Sequence, residues 1–117
     1  TVESLHFIIL MHELGHWFTH YCLPQDEHKK RATSFYKQGT AVVETMAQLT
    51  VVWALDPIKD EFASRTKLIF DYLVPRQPQP YQQFLRLGAK MSKMNSIIKR
   101  YLVVLDKRTN DLGYLLQ

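Results

Sequence analysis

Two histidines and a glutamate fall close together in the run His12-Glu13-Leu14-Gly15-His16. On a helix, residues four apart project from one face, one turn above the other. The two imidazoles can therefore converge on one Zn²⁺. Glu13, next to His12, can reach a metal-bound water without ligating the metal. Zinc lowers the pKa of such a water and a glutamate takes its proton, which is how metallohydrolases make a nucleophile. The flanking residues, Ile8-Ile9-Leu10-Met11 before and Trp17-Phe18 after, are apolar, as a buried metal-binding helix requires. The competing reading is an amphipathic core helix with two hydrogen-bonded histidines. It would leave a carboxylate buried beside them without a cation, which is costly.

A catalytic zinc takes three protein ligands and keeps one position for water. His20 extends the stripe formed by Leu5, Ile9, His12 and His16, but on a straight helix it lies about 12 Å along the axis from His12, too far to share an ion. Cys22 follows the metal helix and reads better as a small buried residue than as a ligand. Glu44 is the favoured third ligand. It is a lone carboxylate in the apolar run Ala41-Val42-Val43-Glu44-Thr45-Met46-Ala47, and Ala47, one turn on, would let the two helices approach closely. Pairing of Glu44 with Lys37 is the alternative. Asp26, Glu27 and His28 are the other ligand candidates. A donor for the developing oxyanion is sought among Tyr21, Tyr36, Tyr72, Tyr81 and His20. For Tyr81 a packing role at a helix start is favoured.

The elements that must position these residues read as helices throughout. No stretch has sustained period-two alternation bounded by turn residues. A first helix is expected over residues 2–22, closed by Pro24, and a polar loop over 24–39. A second helix is expected over 40–55 with Thr40 as its N-cap. Asp56-Pro57 suits an N-cap and first helical position, so a third helix is expected over 57–73. Pro75, Pro78 and Pro80 read as a stiff extended linker. A fourth helix is expected over 81–107, with Gly88 a weak point, and residues 112–116 as a docked tail. The fold class is mainly α, a zincin-like helical domain of about four helices. The metal helix starts almost at Thr1, so any substrate-aligning sheet is expected to be missing or minimal. Residues 1–74 would form the metal-binding core, 75–80 a proline-rich linker and 81–117 a basic C-terminal helix packed on the same domain.

With 117 residues the chain supports one modest core. Its single cysteine excludes an intramolecular disulfide and points to a reducing, cytoplasmic setting. The apolar runs 5–11 and 41–55 are too short to span a membrane. Charge is uneven. Residues 65–108 hold ten Lys/Arg against two Asp, whereas residues 1–64 hold five Lys/Arg against eight Asp/Glu. Arg86, Lys90, Lys93 and Arg100 would share one face of the fourth helix. Nucleic acid could bind through residues 86–108, but an ordinary solvated basic face is favoured.

The assembled residues resemble the ImmA/IrrE-like metallopeptidases. In these, HELGH is followed a few dozen residues later by a helix of the form E-x-x-A, ended by a leucine and then a proline. Residues 12–16 match the first part, and Glu44, Ala47, Leu55 and Pro57 match the second in spacing. The match covers about residues 5–57. The resemblance implies that His12, His16 and Glu44 ligate the metal, that Glu13 is the general base, and that a regulatory protein such as a DNA-binding repressor is cut. The expected function is thus zinc-dependent hydrolysis of a peptide or protein substrate. The alternative is a non-catalytic helical module that binds nucleic acid or protein and carries a structural or vestigial metal site.

Overall fold

The structure is a computed structural model that describes residues 1–19, 40–107 and 112–116. Helix α1 spans Val2–Trp17. Thr1 caps it, its hydroxyl accepting from the Ser4 N–H at 3.2 Å. Ser4, Ile8, His12 and Gly15 form its buried stripe, and Thr19 continues it. This corrects the expected stripe: Leu5 is 39% and Ile9 60% exposed. Gly15 sets the phase. A Cβ there would stand 2.7 Å from Thr50 Oγ1 and 2.9 Å from Ala47 Cα, so only glycine lets α1 lie this close to its neighbour. The expected continuation to residue 22 and the loop over 24–39 lie outside the described residues.

Helix α2, Thr40–Leu55, occupies the expected span. It is buried nearly all round, as a helix apolar on every face must be. Val42, Met46, Leu49, Val51 and Leu55 supply the centre of the core. Helix α3 spans Glu61–Leu73 and begins four residues later than expected. Asp60 is its N-cap, accepting from the Ala63 N–H at 2.9 Å. Asp56-Pro57 instead forms a turn, closed by the Asp56 N–H to Val52 and the Ile58 N–H to Leu55. Ala63, Thr66 and Phe70 face inward. The buried Ser4 and Thr66 hydroxyls meet at 2.7 Å and pin α1 to α3.

The proline segment is not an extended linker. Residues Val74–Arg76 make one 3₁₀ turn, and α4, Gln79–Gln82, makes one α turn. Pro75 and Pro80 sit in the first turn of each, where a missing N–H breaks no hydrogen bond. The segment folds back over α2. The expected helix over 81–107 is also broken. Residues Gln83–Ser92 form 3₁₀ turns interrupted at Gly88 (φ 54°, ψ −128°), a conformation open essentially to glycine. Lys93 is again non-helical, and α5 follows as Met94–Lys107.

The break lets Phe84 and Leu87 bury on one side and Ile97 and Tyr101 on the other. Trp53 Nε1 anchors the segment by donating to the Met91 carbonyl at 2.7 Å. Consequently Arg86, Lys90, Lys93 and Arg100 do not share one helix face. The tail docks as expected, with Leu112 buried before α6, Gly113–Leu116, and Leu115 buried within it. The fold is mainly α. Among the described residues there is no strand, and no helix is long and apolar enough to cross a membrane.

Candidate metal centre

Helix α1 presents His12 and His16 one turn apart, with their Nε2 atoms 3.2 Å from each other. Glu44 reaches them from α2. Its Oε2 lies 2.8 Å from His12 Nε2 and its Oε1 3.4 Å from His16 Nε2. One ligand atom from each of the three residues can be chosen so that all lie within 4.8 Å of one another. His12 and Glu44 are each 8% exposed, and His16 is half-buried. Glu44 thus faces the histidines. Lys37, its alternative partner, lies outside the described residues, as do the other ligand candidates His20, Cys22, Asp26, Glu27 and His28, and the tyrosines Tyr21 and Tyr36.

Gln48 determines how His12 is presented. It stands four residues after Glu44, hence one turn along the same face of α2, and it is fully buried. Gln48 Oε1 lies 2.9 Å from His12 Nδ1. Gln48 Nε2 lies 2.8 Å from Gln77 Oε1 and 3.1 Å from the Tyr81 main-chain carbonyl. A main-chain carbonyl only accepts, so the Gln48 atom facing Tyr81 is the nitrogen. Its oxygen therefore faces His12, and His12 Nδ1 donates to it. The lone pair of a neutral His12 is then on Nε2, aimed at Glu44 and His16.

This arrangement fits a cation. With His12 neutral its Nε2 has no hydrogen to offer, so the buried Glu44 Oε2 2.8 Å away needs either a cation or a proton between them. Two ligand atoms about 2.0–2.1 Å from one ion at a tetrahedral angle stand about 3.3 Å apart. The two imidazole nitrogens, 3.2 Å apart, match that value, and Glu44 brings Oε2 to 2.8 Å from one and Oε1 to 3.4 Å from the other. His12, His16 and Glu44 can therefore hold a metal ion. In the metal-free chain a proton takes the place. Burial alone would lower the His12 pKa, but hydrogen bonds to Glu44 and Gln48 and the charges of Glu44 and Glu13 carry it above its ordinary value. Burial likewise opposes ionisation of Glu44, yet hydrogen bonds from His12 and His16 bring it down to about 2.

A cleft of about 190 Å³ opens beside the centre, lined by Ile8, Ile9, His12, Glu13, Gln48, Gln77 and Tyr81. Glu13 is exposed at its edge. The Tyr81 ring stacks on the His12 ring, with centroids 5.4 Å apart and planes 10° from parallel. The ring against which Tyr81 packs is thus one of the candidate ligands. Burial, then the charges of Glu44 and Glu13, push the Tyr81 hydroxyl pKa upward. Tyr72 is exposed and carries the Arg76 guanidinium 3.6 Å over its ring.

Gln48 and Gln77 are the residues that sequence reasoning missed. An amide one turn after Glu44 on an apolar helix was the available signal for Gln48. Gln77, between two prolines, gave none. Compared with protein-family models, curated proteins and solved structures, the chain matches none.

Proposed function

We propose that the protein is a zinc-dependent peptidase. The observation that carries this reading is the convergence of His12, His16 and Glu44, with Glu13 and His12 lining one cleft beside it. Two imidazoles and one carboxylate are a set that suits zinc, and three ligands leave a position for a reactant. When bound, zinc would acidify a water and polarise the scissile carbonyl. Glu13 would act as the general base toward a water in the cleft, taking its proton as the oxygen adds to the carbonyl carbon and returning it to the leaving amine as the C–N bond breaks. Gln48 keeps His12 in the tautomer that ligation needs. Tyr81 walls the cleft with its ring against His12.

The resemblance to the ImmA/IrrE-like metallopeptidases supports the same roles and suggests a regulatory protein as substrate. Arg86, Lys90, Lys93 and Arg100 are divided between two elements and the break that separates them, which favours the peptidase over a nucleic-acid module built on one basic helix face. The test is digestion of a random peptide library by the zinc-loaded chain. Cleavage should stop with a chelator. It should fall about 10²–10⁴-fold in Glu13→Gln with zinc retained. Cleavage that Glu13→Gln leaves intact would refute the mechanism.

A further inference from the structure

Gln77 reaches the centre from the turn between Val74–Arg76 and α4, and its carboxamide has a fixed polarity. The Tyr81 carbonyl orients Gln48, so a Gln48 N–H points at Gln77. Gln77 must answer with Oε1, which directs its Nε2 the other way. The main chain of Gln77 is also held, its N–H by the Val74 carbonyl at 3.1 Å and its carbonyl by Gln82 Nε2 at 2.8 Å. Gln77 Nε2 itself has no hydrogen-bond partner among the described residues, and the residue is half-buried where it lines the cleft.

The other polar groups of this cleft are committed. The hydrogen on His12 Nδ1 goes to Gln48, both Gln48 N–H groups go to Gln77 and Tyr81, and ionised Glu13 only accepts. A peptide lying against Ile8 and Ile9 would bury main-chain carbonyls that need donors. Gln77 Nε2 and the Tyr81 hydroxyl are the side-chain donors left in the lining.

We propose that Gln77 is a substrate-binding residue, its Nε2 donating to a main-chain carbonyl of a peptide in the cleft. The inference rests on the peptidase reading. It adds that recognition is of the peptide backbone, through a donor whose direction is set by the same amide chain that sets the His12 tautomer.

The test compares two probes on the zinc-loaded full chain by calorimetry. Acetohydroxamate carries the zinc-binding group alone, and a leucyl-leucine hydroxamate adds a peptide backbone. Gln77→Glu keeps the acceptor that Gln48 needs and removes the donor. Gln77→Met removes donor and acceptor together without adding charge, and Gln48 Nε2 keeps the Tyr81 carbonyl, which is enough to fix its orientation. Both variants should keep their zinc and their acetohydroxamate affinity. Both should lose about three- to tenfold in affinity for the dipeptide hydroxamate, the effect of one neutral hydrogen bond. Equal affinity of wild type and both variants for the dipeptide probe would overturn the assignment while leaving the metal centre standing. Failure of zinc-loaded wild type to bind either probe would overturn the peptidase reading and this assignment together.

Discussion

Gln48 shows how much a single amide contributes to the centre. Its oxygen holds the His12 Nδ1 hydrogen, and its nitrogen is fixed by two acceptors on the 74–82 segment. Replacing it with leucine keeps the bulk but removes the acceptor, so the ring can turn or adopt the other tautomer. Loss of such a partner costs about 10–100-fold in metal affinity. Gln48→Leu should therefore bind zinc at least about tenfold more weakly than wild type in a chelator competition, and unchanged affinity would mean that Gln48 only fills space. At this scale the sequence was partly legible. Glu44 stood out because a lone carboxylate on an apolar helix needs a cationic partner. Gln48 did not, because a neutral amide on such a helix can be satisfied in many ways, and its partners lie 29 to 36 residues away in the chain.

Helices α1 and α2 bring the ligands together only because they touch at Gly15 and Ala47. Thr50, the nearest obstacle to a Cβ at Gly15, is held by its hydroxyl donating to the Met46 carbonyl at 2.9 Å. Alanine gains helix propensity of about 1 kcal/mol over glycine. Against that, its Cβ meets the Ala47 backbone, which cannot swing away as a side chain can. Overpacking of this kind costs typically about 1–3 kcal/mol, so the clash should win. Gly15→Ala should lower the urea midpoint and weaken zinc binding, because Glu44 moves with α2. A variant more stable than wild type would show that the approach is looser than described.

Element types were largely readable from sequence, but boundaries were not. Asp56-Pro57 and Asp60-Glu61 both carry N-cap chemistry, and only the packing of Ala63, Thr66 and Phe70 selects the second. Three prolines read as extended chain because each excludes helix interior. Two of them instead sit in the first turns of separate helical pieces, which is why the segment reaches the centre.

On the scale of the whole molecule, the buried His12–Glu44 pair links folding to pH. The His12 pKa lies above its ordinary 6.5 in the folded, metal-free chain, so its contribution is complete below about 6.5 and is lost as pH rises through the raised value. Glu44 lies at about 2 instead of 4.5, so its contribution is present above 4.5 and is lost as pH falls towards about 2. Their joint contribution to metal-free stability is therefore greatest between 4.5 and 6.5. Urea unfolding with a chelator present should show Glu44→Gln losing more stability relative to wild type at about pH 5.5 than at about pH 8.5. The reverse order would mean that the pair does not form. Zinc should invert this preference, since it needs both imidazoles unprotonated.

The mainly α fold followed from the absence of strand periodicity. The exposure of Ile9, Leu10, Leu14 and Trp17 on α1 did not, because an apolar run leaves the buried face undefined until Gly15 and its neighbour set the phase.

The central claim is that His12, His16 and Glu44 form one three-ligand metal site. The direct measurement is the metal content of the purified full chain after zinc loading and desalting, with His16→Ala and Glu44→Ala beside wild type. The account predicts about one zinc per wild-type chain and loss of it in both variants. No bound zinc in wild type, or zinc retained in Glu44→Ala, would contradict it.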